Sequence, residues 1–338
     1  MAIGVKDVAR AAGVSPATVS RVLGGRQVDP EMRERVEAAV AAMDYRPNLA
    51  ARRLRSRHTN TVGLIVADIR NPFFTAVSRA VEEVAYAHDM RVILCNTDEN
   101  PDKEDLYLRL MQEERVTGAI FAPTRQSVGR VAHEKQAFPL VLIDRSQSNC
   151  LHDAVVLDNV AAAAMLVEHL YERGYRRIAG LFGAAAVTGQ ERHEGYARTM
   201  ERLGLSPSGH FVDHGPGAAE AEVVRLLGQS EPPEALIASN GVMLMAAMRA
   251  LYAHNIAIPG RLAVAGFDNE PWTELVAGGL TVIEQPVEEI GQIAMSMLLE
   301  RLSKPGASPR KVVLGGRCVV RGSTAGLLEK PGICPGSC

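Results

Sequence analysis

Aromatic residues are scarce in this 338-residue chain, at 4% of positions with a single tryptophan. Ala, Val, Leu and Gly take their place, which suits short strands alternating with helices better than an all-β sandwich; an α/β core is expected. No window approaches about 18 consecutive apolar residues, so no membrane span is expected. The opening MAIGVKDVARAAG lacks the apolar run and cleavage site of a signal peptide, which points to a cytoplasmic protein. Five cysteines (Cys95, Cys150, Cys318, Cys334 and Cys338) are odd in number and form no CxxC pair, which excludes a disulfide framework and a zinc knuckle. Enzyme signatures are equally missing. Gly215-Pro216-Gly217 does not continue to a third glycine, no GxxxxGK[ST] occurs, and GSTAG from Gly322 to Gly326 is not a nucleophile elbow. His210, Asp213 and His214 read as solvated side chains beside a Gly/Pro loop rather than as a metal site. No catalytic group, metal or cofactor is expected.

Charge is present but unevenly placed. Residues 1–60 carry 11 Lys plus Arg against 6 Asp plus Glu, whereas the remainder carries 26 against 33. A basic N-terminal segment is compatible with nucleic acid, but only its pattern can decide. Residues 5–12 and 16–23 read as two short helices, with Val8, Ala9 and Ala12 on one apolar stripe and Val19, Val22 and Leu23 on the other. Ser15 is a good N-cap and Pro16 a good first helical residue. Asp29-Pro30-Glu31 repeats that signal for a third helix to about Met43. Ala9 at the helix crossing, Gly13 in the turn and Val19 as anchor are what a helix-turn-helix needs. The second helix begins with Ser15, Pro16, Ala17 and Thr18 and carries Ser20 and Arg21. These are short outward side chains at the end that would enter a major groove, followed by a guanidinium able to bond a guanine edge or a phosphate. An Arg-rich amphipathic stretch, Leu49 to Arg57, comes after Pro47.

From Thr61 the pattern changes to strand then helix, repeated from TVGLIVA through LTVIEQ and a last helix from Val287 to Leu302. Such alternation implies doubly wound parallel sheets covered on both faces. Some 270 residues are too many for one sheet, so two lobes are expected, with ligand in the crevice at the carboxyl ends of the strands. The expected organisation is an all-α headpiece over 1–46, a linker over 47–60 and a core over 61–326. Within the core, the N-lobe takes about 61–158 and 287–318, and the C-lobe about 159–286 and 319–326. The Pro/Gly-rich tail, 327–338, is expected to be disordered.

Two long segments, VKDVARAAGVSPATVSRVL and DPEMRERVEAAVAAMDYRPNLAARRLRS, resemble the lactose-repressor family of bacterial regulators motif for motif. The resemblance continues through GLIVADIRNPFF, TGQERHEGYARTM, AVAGFDNEPW and TVIEQPVEEIG. It implies a hinge helix in the linker, a core like that of periplasmic sugar-binding proteins, and a homodimer acting as a repressor on pseudo-palindromic operator DNA. On that resemblance, Pro16 and Ala17 match residues facing base edges, while Ser15, Thr18, Ser20 and Arg21 match base or phosphate contacts. Leu54 matches a minor-groove wedge, flanked by Arg52 and Arg53 along phosphates.

Sugars expose hydroxyls at their edges and C–H faces above and below, so a site needs fork-like donors, acceptors and an apolar wall. Candidates sit where strands end: Asn71, Phe73 and Phe74; Asp144 and Arg145; Thr188 and Arg192; Asn240; Asp268; and Gln285. The resemblance implies that Phe73, Thr188, Arg192, Asn240 and Asp268 line the ligand pocket. Two arginines lean toward a sugar acid. Alternatively, Arg192 forms an interlobe salt bridge with Asp268 or Asp144. In relatives an Asp usually follows the residue matching Asn240, where this chain has Gly241, which leaves the ligand class open. The rival functions are a regulator responding to a non-sugar corepressor, a secreted sugar-binding protein and an enzyme.

Overall fold

The computed structural model describes residues 4–23, 27–45, 59–147, 149–184, 186–213, 215 and 217–326. It divides into two compact units, residues 1–59 and 60–338. The expected hinge helix and the C-terminal tail lie outside the described residues.

The first unit is built from α1 (Val5–Ala12), α2 (Pro16–Leu23) and α3 (Pro30–Ala42). Val8, Ala9, Val19, Val22 and Val36 form its small core. Gly13 stands at φ 63, a left-handed conformation that glycine adopts without a Cβ penalty and that ends α1 sharply. Arg35 from α3 braces this turn. Its guanidinium donates to the carbonyls of Ala12 at 2.6 Å and Gly13 at 3.0 Å, satisfying acceptors that the end of α1 leaves open. At the start of α3 the Asp29 carboxylate accepts from the Glu31 amide at 3.1 Å.

The second unit holds two six-stranded sheets. The N-lobe sheet contains β1 (Thr61–Val66), β2 (Arg91–Asn96), β3 (Gly118–Phe121), β4 (Leu140–Ile143), β5 (Asp153–Leu157) and β11 (Lys311–Leu314), in the order β11-β5-β4-β3-β1-β2. The C-lobe sheet contains β6 (Ile178–Gly183), β7 (Ser208–Val212), β8 (Ala235–Ala238), β9 (Ala263–Phe267), β10 (Thr281–Glu284) and β12 (Arg317–Val319), in the order β12-β10-β9-β8-β6-β7. All pairings are parallel except β10 with β12. Central strands such as β1, β3, β4, β6 and β9 are buried throughout, as parallel strands covered on both faces must be.

Helices α4 (Pro72–Ala87), α5 (Pro101–Glu113), α6 (Val128–His133) and α11 (Val287–Ser303) cover the N-lobe; α7 (Asn159–Glu172), α8 (Val187–Arg202), α9 (Ala218–Leu227) and α10 (Gly241–Ala253) cover the C-lobe. The chain crosses between lobes after β5, after β10 and after β11. The N-lobe boundary expected at 318 is corrected by the pairing of Val282 with Val319 and Ile283 with Cys318, which puts β12 in the C-lobe. The third crossing therefore falls at Gly315 and Gly316. A Cβ on Gly316 would stand 2.7 Å from the Ile283 side chain, so the crossing strand can pass that close only as glycine.

Helices α7 and α8 meet at Gly195, where an added Cβ would collide with the Val160 carbonyl and lie 2.9 Å from its carbon. Backbone cannot rotate away as a side chain can, so Gly195→Ala is expected to cost at least about 1–3 kcal/mol, the scale of overpacking. Thermal unfolding followed by circular dichroism should show a drop of several degrees. Gly228→Ala, where the nearest atom is 3.6 Å away, should change little.

Candidate functional site

Two surfaces collect the residues singled out from the sequence. On the first unit, Pro16, Ala17, Ser20 and Arg21 are exposed while Val19 and Val22 are buried, so α2 presents one polar face and anchors the other. The Ser15 hydroxyl accepts from the Thr18 amide at 3.1 Å and bonds the Thr18 hydroxyl at 2.9 Å, capping the helix. Ser20 donates to the Pro16 carbonyl at 2.9 Å. Both serines are thus tied to their own helix, which leaves Arg21 as the long donor on this face. Arg52, Arg53 and Leu54 lie outside the described residues. Arg35 was not singled out beforehand; its spacing in α3 gives no hint that it braces a turn 22 residues earlier.

In the second unit, a cavity of about 40 Å³ between the lobes is lined by all ten cleft candidates. The N-lobe gives Asn71, Phe73 and Phe74 from the start of α4, and Asp144 and Arg145 from the end of β4. The C-lobe gives Thr188 and Arg192 from α8, Asn240 before α10, Asp268 after β9 and Gln285 after β10. Several lie at helix starts because a loop leaving a strand turns directly into a helix: the Asn71 side chain accepts from the Phe73 amide at 3.1 Å, and that of Asn240 from the Met243 amide at 2.8 Å. Phe73 and Phe74 pack edge to face with centroids 5.0 Å apart.

The charged groups are closely bound. Arg145 makes a fork to Glu99, at 2.7 Å and 2.5 Å, and donates to the Pro123 carbonyl at 3.1 Å. Its Nε stands 2.9 Å from an Asp144 oxygen, yet at an angle that leaves Nε without a hydrogen bond; the contact is an ion pair only. Burial works against the Arg145 charge, but Asp144 and Glu99 outweigh it and hold its pKa above the usual arginine value. Burial pushes Asp144 up against the pull of Arg145 and Arg192, and pushes Arg192 down. Arg192 forms neither of the expected interlobe salt bridges. It donates to Asn159 Oδ1 at 2.7 Å and to the Ser239 carbonyl, and its guanidinium lies 4.1 Å above the Phe267 ring, all within the C-lobe.

Asp144 and Asp268 occupy equivalent places, each directly after the fourth strand, in chain order, of its sheet, and both adopt positive φ, 66 and 75, which aspartate tolerates better than most residues. Asp268 accepts from Gln285 Nε2 at 2.6 Å and from the Gly241 amide at 2.7 Å. A Cβ on Gly241 would stand 3.2 Å from that carboxylate. Gly241 therefore lets Asp268 sit on the N-terminus of α10, where an aspartate would set two carboxylates together. The Gln285 side-chain amide oxygen, Oε1, is buried without a partner. Asp68, Glu99, Ala186 and Val242 also line the cavity and were missed. Asp68 and Glu99 lie beyond β1 and β2, so the rule that ligand groups follow strand ends would have found them.

Arg125, in the loop after β3, bridges the lobes. It donates to the Ala184 carbonyl at 2.9 Å, and with the Gln190 amide oxygen turned toward it the distances are 2.7 and 3.2 Å. Its loop is fixed to α5 by the buried Glu104 carboxylate, which accepts from the Thr124 amide and hydroxyl.

The residues considered for catalysis are otherwise engaged. Ser323 is fully buried, donates to the Val264 carbonyl at 2.6 Å and accepts from the Thr281 amide. His210 lies between Ser208 and Glu222 on the surface, and His214 is outside the described residues.

The family profile described as bacterial regulatory proteins, lacI family, matches residues 4–48, and that of a periplasmic binding protein-like domain matches residues 167–324. The HTH-type transcriptional regulator PtxS of Pseudomonas plecoglossicida is 34% identical over 327 residues, covering 95% of this chain and 96% of that protein. The ribose operon repressor of Halalkalibacterium halodurans is 33% identical over 325 residues, covering 95% and 97%. Among solved structures, the lac repressor dimer bound to operator and the anti-inducer ONPF aligns with a TM-score of 0.86 at 23% identity, covering 96% and 99%. That is a likeness of fold. A complex of the transcriptional regulator CelR with cellobiose aligns at 0.70 with 26% identity, covering 95% and 99%.

Proposed function

Since the chain belongs to the lacI family of bacterial regulatory proteins, we propose that its interlobe cleft binds a polyhydroxyl effector that sets how tightly its headpiece holds operator DNA. The protein is a DNA-binding transcription regulator, not an enzyme. One observation carries the effector reading: ten polar and aromatic residues scattered from 71 to 285 converge on one cavity at the carboxyl ends of both sheets, where doubly wound folds bind ligands. The relatives' names support it, since one is a ribose operon repressor and another is solved with cellobiose.

The electrostatics favour hydroxyls. Both guanidiniums are engaged by protein groups, and Asp68, Glu99, Asp144 and Asp268 face the cavity beside them. Carboxylates and the unpartnered Gln285 oxygen call for donors, which hydroxyls supply. At about 40 Å³ the cavity holds a few water molecules, so these lobes are closed and an effector enters by parting them. It then shifts the population between interlobe angles, and its effect on DNA equals its differential affinity for the two arrangements.

The headpiece reads DNA through the exposed start of α2, with Arg21 on a base edge or phosphate. The regulator works as a homodimer on a pseudo-palindrome, because one recognition helix reads too few base pairs for genomic specificity. Light scattering at micromolar concentration tests the dimer. The coupling is tested by titrating effector calorimetrically with and without operator, since linkage requires equal factors in both directions. A saturating cleft ligand that leaves operator affinity unchanged within twofold would falsify the mechanism.

Arg125 is the accessible test of closure. Removing one exposed, charge-assisted clasp between lobes is worth roughly 0.5–1.5 kcal/mol, so Arg125→Ala is expected to speed effector dissociation about two- to tenfold. The single tryptophan, Trp272, lines a neighbouring space that shares Asp68, Asn240 and Val242 with the cleft and gives a stopped-flow signal. Equal dissociation rates in variant and wild type would show that the clasp contributes nothing to closure.

A further inference from the structure

Arg192 lines the cleft but is held from outside it. Asn159, the first residue of α7, is 2% exposed and does not line the cavity. Its Oδ1 accepts from Arg192 Nε at 2.7 Å, and its Nδ2 donates to Glu191 Oε2 at 2.7 Å. One amide thus grips two successive residues of α8. The pairing has a chemical requirement: a guanidinium only donates and an ionised carboxylate only accepts, so the side chain joining them must offer one acceptor and one donor, as an amide does. The approach is fixed by Gly195, one turn along α8, whose missing side chain lets that helix lie against the Val160 backbone.

Asn159 also stands where the chain changes lobes. The Asp158 amide donates to the Leu314 carbonyl at 2.8 Å, tying the first crossing to the strand end from which the third departs. The Asp158 carboxylate caps α7 by accepting from the Ala161 amide at 2.9 Å. Lobes joined by a few short strands turn about those strands, so the amide that holds Arg192 is carried by the pivot. Glu191, at the other end of the amide, is half-buried and feels two N-lobe charges: Lys311 in β11 attracts it, and Asp144 after β4 repels it.

We propose that Asn159 and Glu191 are positioning residues for the allosteric response: when a bound effector displaces Arg192, Asn159 carries the Glu191 carboxylate with it, relative to Lys311 and Asp144, and so biases the interlobe angle. The inference rests on the reading of the cleft as an effector site and adds the route by which occupancy reaches the pivot. Arg192 supplies affinity, whereas the chain from Arg192 through Asn159 to Glu191 supplies a difference between the two lobe arrangements. Without such a difference a ligand binds both arrangements equally and shifts nothing, however tightly it is held.

The experiment titrates D-ribose, D-glucose, D-gluconate and cellobiose calorimetrically into the full-length protein, with and without an operator duplex that the wild type selects from random DNA. The ratio of the two affinities is the coupling factor, ordinarily about 5- to 150-fold. Glu191→Gln keeps an acceptor for the Asn159 amide and removes only the charge. It should lower the factor at least threefold while affinity without operator stays within twofold of wild type. Asn159→Asp keeps an acceptor for Arg192 but sets a second carboxylate against Glu191, and should bring the factor within twofold of unity. Lys311→Met, at an exposed position, should also lower the factor, and should lower it no further when added to Glu191→Gln, because both remove one interaction. A purely structural role for Asn159 would reduce melting temperature and affinity and leave the factor intact. Because the factor is a ratio read within one preparation, partial unfolding cannot imitate its loss. A factor that survives either Glu191→Gln or Asn159→Asp overturns the relay while leaving the cleft reading intact. Binding by none of the probes, or binding to the wild type without coupling, counts against the cleft reading and takes the relay with it.

Discussion

Arg21→Ala is expected to abolish specific operator binding in a gel-shift assay at physiological salt, while effector binding measured on the same preparation stays at the wild-type level. The reason lies in what α2 exposes. Pro16 and Ala17 have no side-chain donor, and the hydroxyls of Ser15 and Ser20 bond within the helix, so Arg21 is the extended donor on that face. Losing an arginine contact to a base costs about 1–3 kcal/mol, and a symmetric dimer loses it twice. Affinity should fall by a factor between about 30 and more than 1,000. A variant that retains wild-type affinity and an unchanged salt slope would remove Arg21 from the interface. If discrimination between operator and random DNA survives while overall affinity drops, the contact is to phosphate.

The second large effect is expected at Arg192. Replacing it by alanine strands two buried acceptors, the Asn159 side-chain oxygen and the Ser239 carbonyl, and uncovers the Phe267 face. Each stranded acceptor costs about 1–3 kcal/mol. Arg192→Ala should therefore lower the melting temperature and weaken effector binding by at least a hundredfold, whereas operator binding without effector changes less. Arg192→Lys keeps the charge but lacks the planar fork that holds two acceptors at once, so it should restore stability in part and effector affinity hardly at all. Unchanged effector affinity in the alanine variant would mean that the guanidinium serves the C-lobe alone.

The sequence announced the headpiece nearly residue by residue. Its stop and start signals are local: Gly13 must be left-handed, Ser15 caps, Pro16 begins a helix, and Asp29-Pro30 repeats the grammar, so α1 and α2 fall where periodicity puts them. The buried strands were equally plain, because continuous apolar runs are needed when both faces are covered. Edges were not. In β7, Ser208 to Val212, only the last residue is buried, and in β11 and β12 exposed and half-buried residues mix, so no apolar run marks them. α9, ten residues, and α6, six residues, are short and offer few turns over which a stripe can repeat. At the site, the ends of strands and, for Thr188 and Arg192, the opening of α8 pointed to the cleft candidates, but not to their partners. That Arg145 would bind Glu99 rather than a ligand, or Arg192 the Ser239 carbonyl, depends on tertiary approaches across 46 and 47 residues, which no local pattern encodes. Gly241 illustrates the same limit: its meaning is the room it leaves for Asp268, 27 residues away.

The last crossing, at Gly315 and Gly316, bears on how the protein is made. A ribosome releases α1 to α3 within the first 45 residues, and their contacts are all local. The N-lobe, although its sheet begins at Thr61, receives α11 and its edge strand β11 only after β6 to β10 of the C-lobe have emerged, and the C-lobe in turn waits for β12. Pairings of such long sequence separation form late. For much of its synthesis the nascent chain therefore has a finished DNA-reading segment and an unfinished sensor. A message broken off before codon 311 yields a polypeptide whose β5 edge has no β11 to pair with, an open strand of the kind that aggregates or is degraded.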